Sequence, residues 1–169
     1  MKKNFDKCLS MLLHHEGGFV NHPQDPGGMT NLGVTKRVYE AWVGREVTEG
    51  TMRDLTFVDV APIYKKNYWD KVRGDDLPSG VDWCAFDWAV NSGSGRPAKA
   101  IQRAVGATAD GAIGPKTLQS IMNHEPKMII ESVYTQRQSF YESLGHFDTF
   151  GRGWTRRNKE TLEQALSMI

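Results

Sequence analysis

His15-Glu16-Gly17-Gly18-Phe19-Val20-Asn21-His22-Pro23-Gln24-Asp25-Pro26-Gly27-Gly28-Met29-Thr30-Asn31-Leu32-Gly33-Val34-Thr35 is the stretch on which the reading of this chain turns. Just before it, Phe5, Cys8, Leu9, Leu12 and Leu13 recur at helical spacing, which predicts an amphipathic helix over 4–15. Gly17-Gly18 stops that helix, because glycine readily takes the left-handed conformation that ends helices. Pro23, Pro26, Gly27, Gly28 and Gly33 then leave no helical pattern, so residues 17–33 read as a loop or a small β-hairpin. An acid, Glu16, stands where a helix gives out, and the loop after it holds a second acid, Asp25, and a hydroxyl, Thr30.

The rest of the chain reads as helices. One starts near Thr35 and carries Val38, Tyr39 and Trp42. The next has Thr56 as N-cap and Asp59 at the capping-box position, and runs towards Tyr68-Trp69. Residues 70–79 look like a connection. Val81, Cys84, Ala85 and Trp88 mark a further helix ended by Ser92-Gly93-Ser94-Gly95, and Ala98, Ile101, Gln102 and Val105 a short one. Pro115 and Pro126 sit at helix first turns, where proline's missing N–H costs nothing. A last helix is expected after Gly151-Arg152-Gly153. The fold class is therefore mainly α, with irregular or β structure confined to about residues 17–33.

Composition narrows the function. Of the 169 residues, 39% are hydrophobic and 24% charged, as in a folded globular chain. A formal net charge of +1 argues against a nucleic-acid binder, whose affinity would come from neutralising phosphates. Two cysteines, Cys8 and Cys84, are too few for a disulfide framework and read as buried thiols. No apolar run reaches the length of a membrane span, and Asp6 and Lys7 interrupt what would be the apolar core of an export signal. The sequence leads us to expect a monomer made in the cytoplasm. His14, His15 and His22 lack the spacing of a zinc site, and no metal or cofactor is implied.

An acid at a helix end, followed by a loop with a second acid, suits glycosidic cleavage. One carboxylic acid must protonate the leaving oxygen, and a second group must steady the cation-like sugar or position water. The partial negative charge of a helix C-terminus favours the protonated form such an acid needs. The pattern Glu16-Gly17-Gly18-Phe19 followed by Asp25-Pro26-Gly27-Gly28-Met29-Thr30-Asn31-Leu32-Gly33 resembles the N-terminal signature of glycoside hydrolase family 108, which contains bacterial and phage N-acetylmuramidases. The likeness continues through Tyr68-Trp69 and Phe86-Asp87-Trp88-Ala89-Val90-Asn91-Ser92-Gly93 to Phe150-Gly151-Arg152-Gly153-Trp154. It implies a lysozyme-like helical fold, hydrolysis of the bond from N-acetylmuramic acid to N-acetylglucosamine in peptidoglycan glycan strands, and Glu16 as the catalytic acid. A looser likeness to phage lysozymes gives Asp25 and Thr30 supporting roles. Asp25 and Thr30 are one residue closer together here than in that family, so Asn31 stands at the matching position.

Two regions are expected within one compact unit: a catalytic one over 1–93, and a helical one over 94–169. In the second, Gln102 near Val105-Gly106, then Asp110-Gly111-Ala112-Ile113-Gly114-Pro115-Lys116-Thr117, resembles small peptidoglycan-binding modules. That pattern equally fits a well-made loop between helices. Tyr68, Trp69, Trp83, Trp88 and Asn91 are candidate substrate contacts, since aromatic faces stack on sugars and an amide can bond an acetamido group. Trp88 fits a core position as well. Arg152, Arg156, Arg157 and Lys159 form a basic cluster, read either as a solvated face or as attraction to an anionic envelope. The resemblance implies a lysin held in the host cytoplasm until a holin-type protein releases it to the wall.

Overall fold

A computed structural model describes residues 4–24 and 27–169. The chain divides into two compact units, one of Asp6–Asn67 and one of Tyr68–Ile169 together with Asn4 and Phe5. Among the described residues there are nine α-helices and one three-stranded antiparallel sheet, so the architecture is mainly α.

In the first unit, α1 (Phe5–Leu13) leads into the sheet of β1 (Val20–Asn21), β2 (Met29–Asn31) and β3 (Val34–Thr35). The register pairs Val20 with Thr30, Asn21 with Met29, and Asn31 with Val34. Leu32 and Gly33 join β2 to β3, and both have positive φ, 51° and 74°, as the tightest hairpin turn requires. Asn31 is 5% exposed, and its Nδ2 donates to the carbonyls of Met52 (2.8 Å) and Arg53 (3.2 Å). It thus ties the sheet to the end of α3 (Glu49–Arg53), a short helix that the sequence pattern did not reveal.

Two helices start where capping chemistry places them. Thr35 caps α2 (Lys36–Val43) by accepting from the Val38 amide, and the Thr56–Asp59 capping box opens α4 (Phe57–Tyr64). After α4 the chain winds into a π-helical turn over Lys65–Trp69.

The second unit is built round α5 (Val81–Ser92), whose residues 81–89 are all buried, the mark of a helix enclosed on every side. Around it pack α6 (Gly95–Ala104), α8 (Pro126–Glu142) and α9 (Phe147–Leu166), while α7 (Pro115–Met122) follows α6. Trp69 is fully buried against Phe5 and Phe86 in edge-on contacts, with ring centroids 5.4 Å away in each case. Cys84 and Cys8 are buried free thiols, and burial pushes the Cys84 thiol up to about 12.

Helix α9 begins earlier than the glycines suggest. It starts at Phe147 and runs straight through Gly151 and Gly153. The reason is packing: a Cβ at Gly151 would lie 2.6 Å from the Phe147 ring, so the glycine makes room for that ring on the helix surface.

Candidate functional site

Glu16 lies three residues beyond the last residue of α1, past a turn in which the His15 amide bonds the Leu12 carbonyl. It is half-buried. Its carboxyl group faces the β2–β3 turn: a Cβ added to Gly33 would come within 3.0 Å of Glu16 Oε2 and would collide with the Tyr64 hydroxyl. Tyr64 in turn donates to the Leu32 carbonyl at 2.8 Å, which supports the unusual positive φ of that residue. Glu16, the Leu32–Gly33 turn and Tyr64 therefore form one group. Tyr64 is not among the site residues that the sequence pattern suggests. Its signal was weak, a tyrosine at the last position of an apolar helix face.

The backbone after Glu16 is open. Cβ atoms at Gly17 and Gly18 would meet nothing within 4 Å. Phe19 then packs against the Arg53 guanidinium, 4.1 Å from ring centroid to charge, and Glu49 Oε1 accepts from Nε and Nη2 of that guanidinium. Thr30 stands half-exposed on β2, opposite Val20 and Thr35. Asp25 lies outside the described residues.

A first prediction follows from this packing. Gly33→Ala puts a side chain at φ 74° and a methyl group against Tyr64 and Glu16. The left-handed backbone and the overpacking together cost about 2–4 kcal/mol. Chemical denaturation of the variant measures it, and turnover should fall further than stability alone explains because the acid is displaced.

The remaining candidates belong to the helical unit. Tyr68 is half-buried in the π-helical turn. Trp69 and Trp83 are 0% exposed, which corrects the expectation of groove contacts: a ring that solvent cannot reach cannot stack on a sugar. Asn31 is corrected on the same ground, its amide being buried on the α3 carbonyls. Trp88 is 3% exposed and lines a hollow between α6 and α8. Asn91 is exposed at the rim of a neighbouring hollow of about 310 Å³, lined also by Tyr141 and Trp154.

Asn91 is held by a chain of bonds reaching into the core. Asp87, fully buried, accepts from Arg137 Nη1 (2.7 Å), Arg157 Nη2 (2.8 Å) and Thr161 Oγ1 (3.1 Å). Arg137 Nε donates to the Tyr141 hydroxyl (2.9 Å), which donates to Asn91 Oδ1 (2.9 Å). Burial by itself would push the Asp87 carboxyl up. The guanidinium groups of Arg137 and Arg157 outweigh it and hold the carboxyl below the usual carboxylate range. Arg157 is therefore half-buried and paired with a buried carboxylate, correcting its place in a solvated basic cluster, whereas Arg152, Arg156 and Lys159 are exposed.

The Gln102 motif proves to be an internal tie. Gln102 is 0% exposed, and its Nε2 donates to Asp110 Oδ1 (2.8 Å), the Ala112 carbonyl (3.0 Å) and Thr117 Oγ1 (3.2 Å). Its Oε1 accepts from the Gly111 amide at 2.9 Å. These residues fasten α6 to the loop and helix that follow, so no atom of Gln102 is left to face a ligand. Gln102→Leu should strand several of these groups and cost about 2–4 kcal/mol in chemical denaturation.

Residues 9–93 match the family model described as glycosyl hydrolase 108, and residues 96–159 match one described as "Predicted Peptidoglycan domain". Among solved structures, one titled "Structure of Brucella abortus SagA" superposes with a TM-score of 0.84 at 42% sequence identity, covering 99% of this chain and 97% of that chain. No curated protein matches significantly. The chain belongs to glycosyl hydrolase family 108: it is a glycoside hydrolase of lysozyme-like, mainly α fold, with a peptidoglycan domain on its C-terminal side.

Proposed function

We propose that this chain is an N-acetylmuramidase that hydrolyses the β-1,4 bond between N-acetylmuramic acid and N-acetylglucosamine, with Glu16 as the general acid. The observation that carries this reading is the placement of Glu16: a half-buried carboxyl at a helix end, set beside the Leu32–Gly33 turn and Tyr64 and open along Gly17-Gly18. In the reaction, Glu16 gives its proton to the bridging oxygen as the bond from that oxygen to the muramic acid anomeric carbon breaks. Water adds to that carbon, and the proton it releases restores the acid. Asp25, placed by its spacing in the sequence, orients the water or steadies the developing cation, with Thr30 in a supporting role. Asn91 and Tyr68 are the proposed glycan contacts in the helical unit, Asn91 meeting an acetamido group through its Nδ2, while Trp88, 3% exposed, is set aside on the same ground as Trp69 and Trp83.

The biological setting that we propose is that of a monomeric lysin, held in the host cytoplasm until a holin-type protein admits it to the wall. Its exposed Arg152, Arg156 and Lys159 would favour an anionic envelope. The likeness to a bacterial protein favours a second setting, the remodelling of a bacterium's own wall.

The test is digestion of purified peptidoglycan followed by borohydride reduction of the new ends. Muramic acid ends, recovered as muramitol, are the expected result. Glucosamine ends would show a glucosaminidase, strands cut without any new reducible end would show a transglycosylase, and wall binding with the strands left intact would show a non-catalytic binding protein. Any of these outcomes overturns the proposal.

A further inference from the structure

Between α6 and α8 the helical unit has a hollow of about 160 Å³ lined by Trp88, Arg96, Lys99, Arg103, Gln136 and Phe140. Arg96, Lys99 and Arg103 fall at positions i, i+3 and i+7 of α6, one stripe of the helix. Helix α6 contains no acidic residue, and among the described residues none of the three cations is paired with a carboxylate. That sets them apart from Lys36, Arg53, Arg73 and Lys127, each of which has an acid three or four residues away on its own segment.

The hollow is also pre-shaped. Arg96 is fixed by donating Nη1 to the Ser92 carbonyl at 2.7 Å and by stacking 4.5 Å over the Phe140 ring. The Trp88 indole, 3% exposed, forms part of the wall. Three cations beside two aromatic rings call for a ligand that brings oxygen acceptors and small apolar groups together. Peptidoglycan carries such a group: the short peptides on its muramic acid residues bear free carboxylates among alanine methyls. Guanidinium and ammonium groups recognise carboxylates through charge-assisted hydrogen bonds.

We propose that the Arg96–Lys99–Arg103 face of α6, with the Trp88–Phe140 wall, is a binding site for the carboxylate-bearing peptide stems of peptidoglycan. The proposal rests on peptidoglycan being the substrate. It assigns this face of α6 to the peptide, apart from the glycan bond that Glu16 acts on. Affinity for the stem then falls as salt rises, because the three cations are exposed.

The experiment uses the full chain as wild type and as Lys99→Gln with Arg103→Gln, two exposed positions outside the proposed glycan contacts. Three probes are titrated: the tetrapeptide stem released from peptidoglycan by an amidase, the same peptide with its carboxyls amidated, and peptide-free glycan strands. The expected result is stem binding that weakens at least tenfold in the double variant and on amidation, with binding and cleavage of peptide-free strands unchanged. Equal stem affinity in both proteins overturns the proposal. So does stronger binding to vesicles of phosphatidylglycerol in phosphatidylcholine that the double variant abolishes, which would make this a lipid-facing patch. Stem binding without glycan cleavage would sink the hydrolase reading and leave this site standing. Cleavage with unaltered stem binding does the reverse.

Discussion

Glu16→Gln is expected to lower turnover on peptidoglycan by roughly a hundred- to ten-thousand-fold, the usual contribution of a general acid to a bond whose leaving group must be protonated. Glutamine keeps the size and the hydrogen-bonding reach of glutamate but has no proton to give. The side chain projects from the bend after α1, half-buried, and takes no part in a helix or strand ladder. Stability should therefore stay within about 0.5 kcal/mol of the parent. Substrate binding should also survive, so the loss falls on kcat and leaves KM nearly unchanged, as for an interaction made in the transition state. Reducing-end assays beside thermal melts separate the two effects. More than a few per cent of parental turnover in a folded variant would mean that the proton comes from another group. Asp25→Ala should cost less than Glu16→Gln, because water can be oriented by more than one neighbour.

The second large effect concerns stability. Asp87→Asn should destabilise the protein by about 3–5 kcal/mol, the usual cost of breaking a buried ion pair from one side. Asp87 is 0% exposed and, among the described residues, is the only carboxylate bonded to Arg137, which is itself 1% exposed, so the variant leaves buried positive charge uncompensated. The same variant should loosen the Tyr141–Asn91 end of the chain of bonds and raise KM for glycan. Urea denaturation at neutral pH gives the number, and a loss below about 1 kcal/mol would mean that water reaches the pair.

The pH dependence follows with its sign. The folded carboxyl of Asp87 is held below its unfolded value of about 3.9, so its contribution is present above that value. It is lost as pH falls from about 4 through the folded value. Asp82 works oppositely. Burial raises its carboxyl despite hydrogen bonds from Asn4 and the amides of Trp83 and Gly80. Acid relieves that cost, so stability should hold down to about pH 4 and fall below it. In Asp87→Asn the fall below pH 4 should be shallower.

Local chemistry was legible where it acts within one turn of chain. The Thr35 and Thr56 caps and the two prolines, Pro115 and Pro126, placed helix starts to within a residue. Glu16 was legible because its motif is continuous in the chain. Features built from distant residues were not. Nothing near Arg157 announces Asp87, 70 positions away, so the partner of a buried carboxylate looked like a solvated surface cation. Leucine is a poor turn former, which hid the positive φ at Leu32 that the Tyr64 hydroxyl supports. Gly151 was misleading for a related reason: a glycine that makes room for a ring is indistinguishable in sequence from one that ends a helix. Tryptophans divide in the same way, since the residue type suits both a core and a sugar face, and only burial put Trp69 and Trp83 in the first class.

Mass spectrometry of fragments released from peptidoglycan in water enriched in heavy oxygen tests the central claim most directly. The account predicts muropeptides whose muramic acid reducing end has gained one water, with the label on its anomeric oxygen. Unlabelled anhydro-muramic ends, lighter by that water, would contradict it and identify a transglycosylase.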